Sequence, residues 1–243
     1  MELVRGREPT VERDRAATAA ALDRAGENEE VVVRVWTPHR QVAFGRRDAR
    51  ADGYEGATAA ARERGFEPVE RSVGGRAVGY TGRTLAFAVA VPQSTVRTGI
   101  TERYDLATET VVDALRETGA AVEPGEPPDA FCPGDHSVRA AGGGKLSGIA
   151  QRLRADAALV SGCVLVEQED TSPIVSVLKP VYAALGVAFD PESVGSVAAA
   201  GGPDSAVQVA AALETALSDA WDDADHSGAE RRVRTLAERP LSE

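Results

Sequence analysis

The sequence predicts an α+β fold in which a mixed, mostly antiparallel sheet is flanked by helices. Short apolar segments with the periodicity of strands occur in pairs, and helical segments interrupt those pairs. The chain has 243 residues with 43% apolar content, which is enough to bury a substantial core. It contains no internal repeat and no clear linker. We therefore expect residues 1–243 to form a single domain.

The first predicted elements are a helix and two short strands. Residues Glu12–Asp23 are rich in alanine, which favours a helix with one apolar side. Glu30–Trp36 alternates its side chains between two faces, as a strand does. Pro38 interrupts this strand, and Gln41–Phe44 resumes as a second one. Their order along the chain is compatible with a hairpin.

The next segment holds a short helix, two strands and a glycine-rich loop. Ala57–Arg64 is predicted to be the helix, and Pro68–Ser72 a strand that leads into Gly74 and Gly75. The stretch Leu85–Val91 reads LAFAVAV, with large residues on one face and alanines on the other. This pattern predicts a strand buried on both sides, whose alanines face a closely packed helix or a ligand.

The second half of the chain continues as a mixture of helices and strands. Ile100–Thr118 places its apolar residues at spacings of three and four, which predicts a long helix. The remaining predicted elements are strands over Ser137–Arg139, Leu146–Leu153 and Ala158–Val166, and helices over Pro173–Leu185 and Ala206–Trp221. Residues 171–243 form a helical, acidic region, whose last part, Asp222–Glu243, is expected to be a solvated helix and tail.

Composition argues against several classes of function. A net charge of −11 and a pI near 4.9 disfavour binding of nucleic acid through a basic surface. The acidic excess, with arginine far outnumbering lysine, is typical of adaptation to high salt. No segment has the apolar length needed to span a bilayer, and the N-terminus has no apolar signal region. We therefore expect a cytoplasmic protein with no membrane partner.

The chain contains two cysteines, too few to form a disulfide scaffold at this length. Cys163 lies in the apolar run Ala158–Val166 and is interpreted as a small buried residue. Cys132 lies in Phe131–Gln151, together with three consecutive glycines and Lys145, one of only two lysines. A glycine run lets the backbone approach a ligand, and a lysine beside it supplies a compact cation. The alternative is a glycine hairpin with an exposed lysine.

Two glycine-rich segments stand out, Arg71–Tyr80 (RSVGGRAVGY) and Gly142–Gly148 (GGGKLSG). Neither has the spacing of a Walker loop or of a Rossmann fingerprint. Together with Trp36, Gln41–Gly45 and Gly144–Arg152, they resemble the lipoate–protein ligase and octanoyltransferase family, which shares its catalytic fold with biotin–protein ligase. The resemblance covers about residues 30–170.

The resemblance implies an α+β catalytic domain that attaches lipoyl or octanoyl groups to a lysine of small carrier domains. The implied partners are the glycine-cleavage H protein and the acyltransferase subunits of 2-oxoacid dehydrogenases. Ligases of the family activate free lipoate with ATP and Mg²⁺ through lipoyl-adenylate. Transferases need no cofactor and pass the acyl group through a cysteine thioester.

The motifs favour the transferase branch. The ligase pattern has a third glycine where this chain has Arg76, and an asparagine where it has Thr84. Phe131–Gly134 and Lys145–Gln151 resemble the branch that moves octanoyl or lipoyl groups from the H protein to other carriers. The ATP-dependent ligase stays open as the alternative, as does a non-catalytic relative that binds lipoyl domains or the free acid.

The resemblance implies catalytic roles for Cys132 and Lys145. Cys132 would form the acyl thioester, and Lys145 would donate to the acyl carbonyl and stabilise the oxyanion. Arg71 would orient a carboxylate, a phosphate or the thioester oxygen. The other residues predicted to bind the substrate are Gly74, Gly75, Gly144, Ser147 and Gly148.

Less specific interpretations compete at these positions. Cys132 could be an inert buried thiol, and Arg71 could pair with a surface carboxylate. His136 fits local hydrogen bonding better than the role of a general base. A metal site at Cys132, Asp135 and His136 would lack a fourth ligand, so we predict none.

Overall fold

The computed structural model describes residues 1–71, 73–93, 99–225 and 232–235. The strands are β1 (Glu2–Arg5), β2 (Val32–Trp36), β3 (Gln41–Phe44), β4 (Glu67–Glu70), β5 (Val78–Tyr80), β6 (Leu85–Pro92), β7 (Val122–Pro124), β8 (Ser137–Ala140), β9 (Lys145–Leu153), β10 (Ala157–Val164) and β11 (Arg232–Thr235). The helices are α1 (Val11–Asn28), α2 (Tyr54–Glu63), α3 (Ile100–Glu117), α4 (Thr171–Ala184) and α5 (Ala206–Asp225).

Eight of these strands form one large mixed sheet in the order β11-β1-β2-β6-β10-β9-β8-β7. The pairs of β1 with β11 and with β2 are parallel, and the other neighbouring pairs are antiparallel. Helices pack against the sheet. The predicted fold class, α+β with a mixed and mostly antiparallel sheet, is therefore confirmed.

The second and third strands do not pair as a hairpin. Trp36 pairs with Ala86 in the large sheet, whereas Gln41 pairs with Tyr80 and Glu67 in a separate three-stranded sheet of order β4-β3-β5. Residues 37–40, which include Pro38, connect the two sheets. Proline has no backbone N–H with which to continue a ladder, and here the chain leaves one sheet and joins the other.

The central strand β6 is buried on both faces, as its sequence predicts. Leu85, Phe87 and Val89 pack into the core under α3 and α5, whereas Ala88 and Ala90 pack against α1. Small side chains on this face let the helix approach the sheet closely. Ala88 and Ala90 therefore face a helix, whereas Ala86 lines a cavity between α1 and the sheets.

Strand β4 ends at Glu70, and Ser72, the predicted end of this strand, lies outside the described residues. Helix α3 agrees with its prediction, and Gly119 follows it at φ +98°, a conformation that glycine adopts without strain. Helices α2 and α4 pack against each other beside the small sheet.

The end of the chain departs from the predicted helix and tail over Asp222–Glu243. Helix α5 ends at Asp225, and Arg232–Thr235 forms β11, parallel to β1. This pairing supplies hydrogen-bond partners for a backbone edge that β1 would otherwise expose. Residues 226–231 and 236–243 lie outside the described residues. Among the helices that the structure describes, none has the length and apolar character needed to cross a membrane.

Candidate active site

Cys132 lies in the loop between β7 and β8, with its backbone in the left-handed region at φ +45°. This conformation is strained for a residue with a side chain. The Cys132 N–H donates to the Tyr182 hydroxyl on α4 (2.5 Å), and that hydroxyl donates to the Ala77 carbonyl (2.9 Å). Burial raises the pKa of Tyr182, so the phenol keeps the proton that it donates. One buried side chain thus holds the cysteine loop against the loop before β5.

The Cys132 sulfur lies between a guanidinium and a backbone N–H. Arg71 Nη2 is 3.1 Å from Sγ, and the Arg76 N–H donates to Sγ at 3.3 Å. Burial disfavours the charged guanidinium, but its interactions with Cys132 and Tyr80 outweigh that effect and raise the pKa of Arg71. A fixed cation and a backbone donor both stabilise negative charge on a sulfur atom.

The close approach of Arg71 and Arg76 to the sulfur depends on glycine in the intervening turn. Gly75 has φ +94°, and a Cβ atom there would lie 2.5 Å from Cys132 Sγ and 2.6 Å from Arg71 Nη2. Gly74 is exposed, and a Cβ atom at this position would contact nothing within 4 Å. Of the two predicted glycines, Gly75 is the one whose lack of a side chain lets the turn contact the thiol.

Lys145 contacts the backbone carbonyl of Cys132 and not its sulfur. It is the first residue of β9 and is fully buried. Its Nζ donates to the Cys132 carbonyl oxygen (2.8 Å) and pairs with Glu126 Oε2 (2.8 Å), and it lies 5.2 Å from the centre of the Phe131 ring. The structure thus brings Lys145 and Cys132 together, with the ammonium on the carbonyl of Cys132. The predicted contact of Lys145 with an acyl carbonyl stays a prediction.

Of the other residues predicted to bind the substrate, only some border the cavity around Cys132. Gly148 borders the cavity around Cys132, and a Cβ atom there would lie 3.4 Å from Lys145 Nζ. Ser147 is buried, and its hydroxyl has no hydrogen-bond partner among the described residues. Gly144 lies before β9 and packs against backbone, where a Cβ atom would be 2.5 Å from the nitrogen of Gly195. Gly144 and Ser147 do not line the cavity around Cys132 as the structure describes it.

Two cavities meet at Arg71. The first, of about 300 Å³, surrounds Cys132 and extends past Gly74, Gly75 and Gly148. The second, of about 440 Å³, lies between α1 and the sheets. Its apolar lining residues include Leu22, Trp36, Val69, Val73, Ala86, Phe87 and Leu159. Glu12, Asp14, Arg15 and Arg152 also line it. Since Arg71 contacts the thiol and lines both cavities, the thiol lies beside a space whose lining is apolar in greater part.

Cys163 lies in β10 and borders the same cavity as Cys132, but it is buried. Burial raises the pKa of the Cys163 thiol, which keeps it in the unreactive protonated form. The prediction of a small buried residue at this position is confirmed. His136 stacks its ring on Tyr104, with the ring centres 3.9 Å apart.

Sequence reasoning missed three contributors to this site. Arg76 drew attention only as a departure from a glycine pattern, whereas its backbone N–H contacts the sulfur. Glu126 lies in a proline-rich loop that looked irregular, yet it pairs with Lys145. Tyr182 is a lone tyrosine in an otherwise apolar helix stretch, which was the only available signal of a buried polar contact.

A thiol next to a guanidinium, a backbone donor and an apolar cavity suits an enzyme that handles acyl groups. The family model of the lipoyl protein ligase A/B catalytic domain matches residues 14–218. The chain therefore belongs to this family, and the match extends beyond the predicted 30–170 at both ends.

Two curated relatives show which members of the family this chain resembles. The chain is 30% identical over 128 residues to an octanoyl-[GcvH]:protein N-octanoyltransferase of Geobacillus kaustophilus, covering 53% of this chain and 44% of the relative. It is 31% identical over 126 residues to the protein of the same name from Exiguobacterium sibiricum, covering 51% and 45%. The matched part of the chain thus spans less than half the length of these relatives.

Solved structures share the fold. A lipoate-protein ligase A bound with ATP superimposes with a TM-score of 0.73 at 22% identity, covering 98% of this chain and 89% of the other. A bi-partite lipoate protein ligase from Thermoplasma acidophilum gives a TM-score of 0.71 at 21% identity, covering 98% and 87%. At these identities the likeness establishes the fold alone.

Proposed function

We propose that the protein transfers an octanoyl or lipoyl group to a lysine of lipoyl carrier domains through a thioester on Cys132. The observation that carries the proposal is the position of Sγ, 3.1 Å from Arg71 Nη2 and 3.3 Å from the Arg76 nitrogen, beside the apolar cavity. A small thiol pocket and an adjoining apolar space suit a carbonyl and its hydrocarbon chain. The names of the curated relatives support the same reaction.

The proposed reaction has two steps that balance. The Cys132 thiolate attacks the carbonyl of an acylated carrier lysine, the S–C bond forms, and the N–C bond breaks as the amine leaves with a proton. The lysine amine of a second carrier then attacks the thioester, the new N–C bond forms, and the thiolate leaves while the amine loses its proton. The acyl chain lies in the apolar cavity during both steps.

Arg71 and the Arg76 N–H hold negative charge on the sulfur before attack and after release. Lys145 donates to the Cys132 carbonyl and pairs with Glu126. These two contacts stabilise the strained backbone of the nucleophile. We propose that Lys145 also donates to the acyl carbonyl, since Gly148, which borders the cavity around Cys132, has no side chain to cover Nζ.

The proposal requires no cofactor, because one lysine amide is exchanged for another of similar free energy. The proposed partners are the H protein and other lipoyl carriers, such as subunits of 2-oxoacid dehydrogenases. An ATP-dependent ligase, needing ATP and Mg²⁺, is the competing function. The cytoplasmic location and the single domain stay predictions.

Intact-mass measurement of the protein after incubation with octanoylated H protein tests the proposal. We expect an octanoyl adduct that hydroxylamine removes and that maps to Cys132. Cys132→Ser should lose both the adduct and transfer to a second carrier, whereas Cys163→Ser, the matched control, should keep the adduct. Lipoylation that needs ATP and survives in Cys132→Ser would contradict the thioester and favour the ligase.

A further inference from the structure

A cleft of about 730 Å³ with five arginines in its lining opens beside the thiol. We call it the arginine cleft, and its arginines are Arg46, Arg47, Arg76, Arg152 and Arg154. Its other lining residues are glycine, proline, glutamine or apolar, so no carboxylate borders it in the described part of the chain. The whole chain carries a net charge of −11. A purely basic cleft in so acidic a protein needs a physical explanation.

Two of the five arginines, Arg76 and Arg154, form ion pairs with carboxylates, whereas Arg46 and Arg47 form none within the described residues. Arg76 pairs with buried Asp48 at 2.9 Å, Arg154 pairs with Asp23 and Asp156, and none of these carboxylates lines the cleft. The side chains of Arg46 and Arg47 are exposed and make no ion pair or hydrogen bond within the described residues. The guanidinium groups of these two consecutive residues therefore remain able to bind an anionic partner.

The arginine cleft is continuous with the cavity that holds the thiol. Gly74, Gly75 and Pro133 line both spaces. Arg76 joins them most directly, because it lines the cleft and its backbone N–H contacts Cys132 Sγ. A molecule bound in the cleft would hold its reactive group next to the sulfur.

We infer that the arginine cleft binds an acidic face of the carrier domain that delivers the acyl group to Cys132 or receives it. This inference rests on the proposed function. Guanidinium groups bind carboxylates through paired hydrogen bonds, and they keep their charge at any working pH. Complementary charge steers association and fixes the orientation of a partner, both of which a carrier needs in order to present one lysine.

The test compares a double variant with a matched control at one fixed salt concentration. Arg46→Glu/Arg47→Glu changes the cleft, and Arg13→Glu/Arg50→Glu changes net charge equally at exposed positions outside it. The readout is the rate of Cys132 octanoylation from octanoylated H protein, divided by the rate from S-octanoyl-N-acetylcysteamine, a small uncharged thioester. We expect this ratio to fall at least ~10-fold in the cleft variant and to stay near wild type in the control.

Binding of octanoylated H protein to the Cys132→Ser protein gives a second readout, which does not need the thioester. We expect the cleft substitutions to weaken this binding, with a dissociation constant raised at least ~10-fold. Equal binding in both double variants would overturn the inference even if Cys132 is acylated. Weakened binding by the cleft variant would support it even if Cys132 is never acylated, a result that counts against the proposed function alone.

Two further outcomes would also overturn the inference. An equal loss with both acyl donors would mean that Arg46 and Arg47 act on the chemistry and not on docking. A loss confined to the ATP-dependent activation of free lipoate would mean that the cleft holds the phosphates of a nucleotide.

Discussion

The two glycine-rich segments of this protein have similar compositions but contact different atoms of Cys132. The first, around Gly74 and Gly75, brings Arg71 and a backbone N–H onto the sulfur. In the second, Gly144 packs against Gly195, and Lys145 donates to the Cys132 carbonyl. A glycine run therefore indicates close packing of the backbone, but only the neighbouring residues determine whether a ligand or the protein itself fills the space.

The largest expected effect comes from removing the Arg71 guanidinium, the cation that contacts the Cys132 sulfur. Arg71→Ala should lower the rate of acyl transfer by ~10²–10³, as loss of a donor to a developing charge typically does. Steady-state transfer from octanoylated H protein measures this change. Arg50→Ala, at an exposed position outside the site, serves as the control. A wild-type rate in Arg71→Ala would show that the contact with Sγ has no catalytic role.

A smaller loss is expected from adding one methyl group to the first glycine segment. Gly75→Ala places Cβ 2.5 Å from Cys132 Sγ in a left-handed conformation, at a strain of about 1–3 kcal/mol. Because the added methyl group would displace the Cys132 sulfur or the Arg71 guanidinium, we expect the rate of thioester formation to drop by ~10–10². Gly74→Ala, whose Cβ contacts nothing within 4 Å, is the matched control. Equal rates in the two variants would contradict the role of Gly75.

The second glycine segment should respond in stability more than in chemistry. Gly144→Ala sets a Cβ atom 2.5 Å from the backbone nitrogen of Gly195 and should lower the free energy of unfolding by about 1–3 kcal/mol. Chemical denaturation measures the loss, and Gly142→Ala, in open space, is the control. If Gly144→Ala instead keeps its stability and loses substrate affinity, Gly144 binds substrate as the sequence predicts.

Local periodicity in the sequence predicted the helices and strands whose residue pattern does not depend on which element they pair with. The alternation in β6 and the apolar stripe of α3 were sufficient to predict both elements. The hairpin failed because pairing partners are set by the tertiary fold, and the break at Pro38 looks the same in a hairpin as in a change of sheet. The pairing of β11 with β1 joins segments more than 200 residues apart, a distance that local patterns do not encode.

The sequence predicted which residues belong to the candidate site, but it did not predict which of their atoms contact each other. The motifs identified Cys132, Lys145 and Arg71, and the structure brings all three together. Which cation contacts the sulfur depends on the left-handed backbone of Cys132, and a non-glycine residue gives no local signal of that conformation. The contact from Tyr182, 50 residues away, depends on how α4 packs.

The Tyr182 hydroxyl joins the two halves of the thiol environment through a single oxygen atom. It accepts from the backbone of Cys132 and donates to Ala77, the residue after Arg76. The position of the nucleophile and that of the backbone next to its N–H donor therefore both depend on where α4 packs.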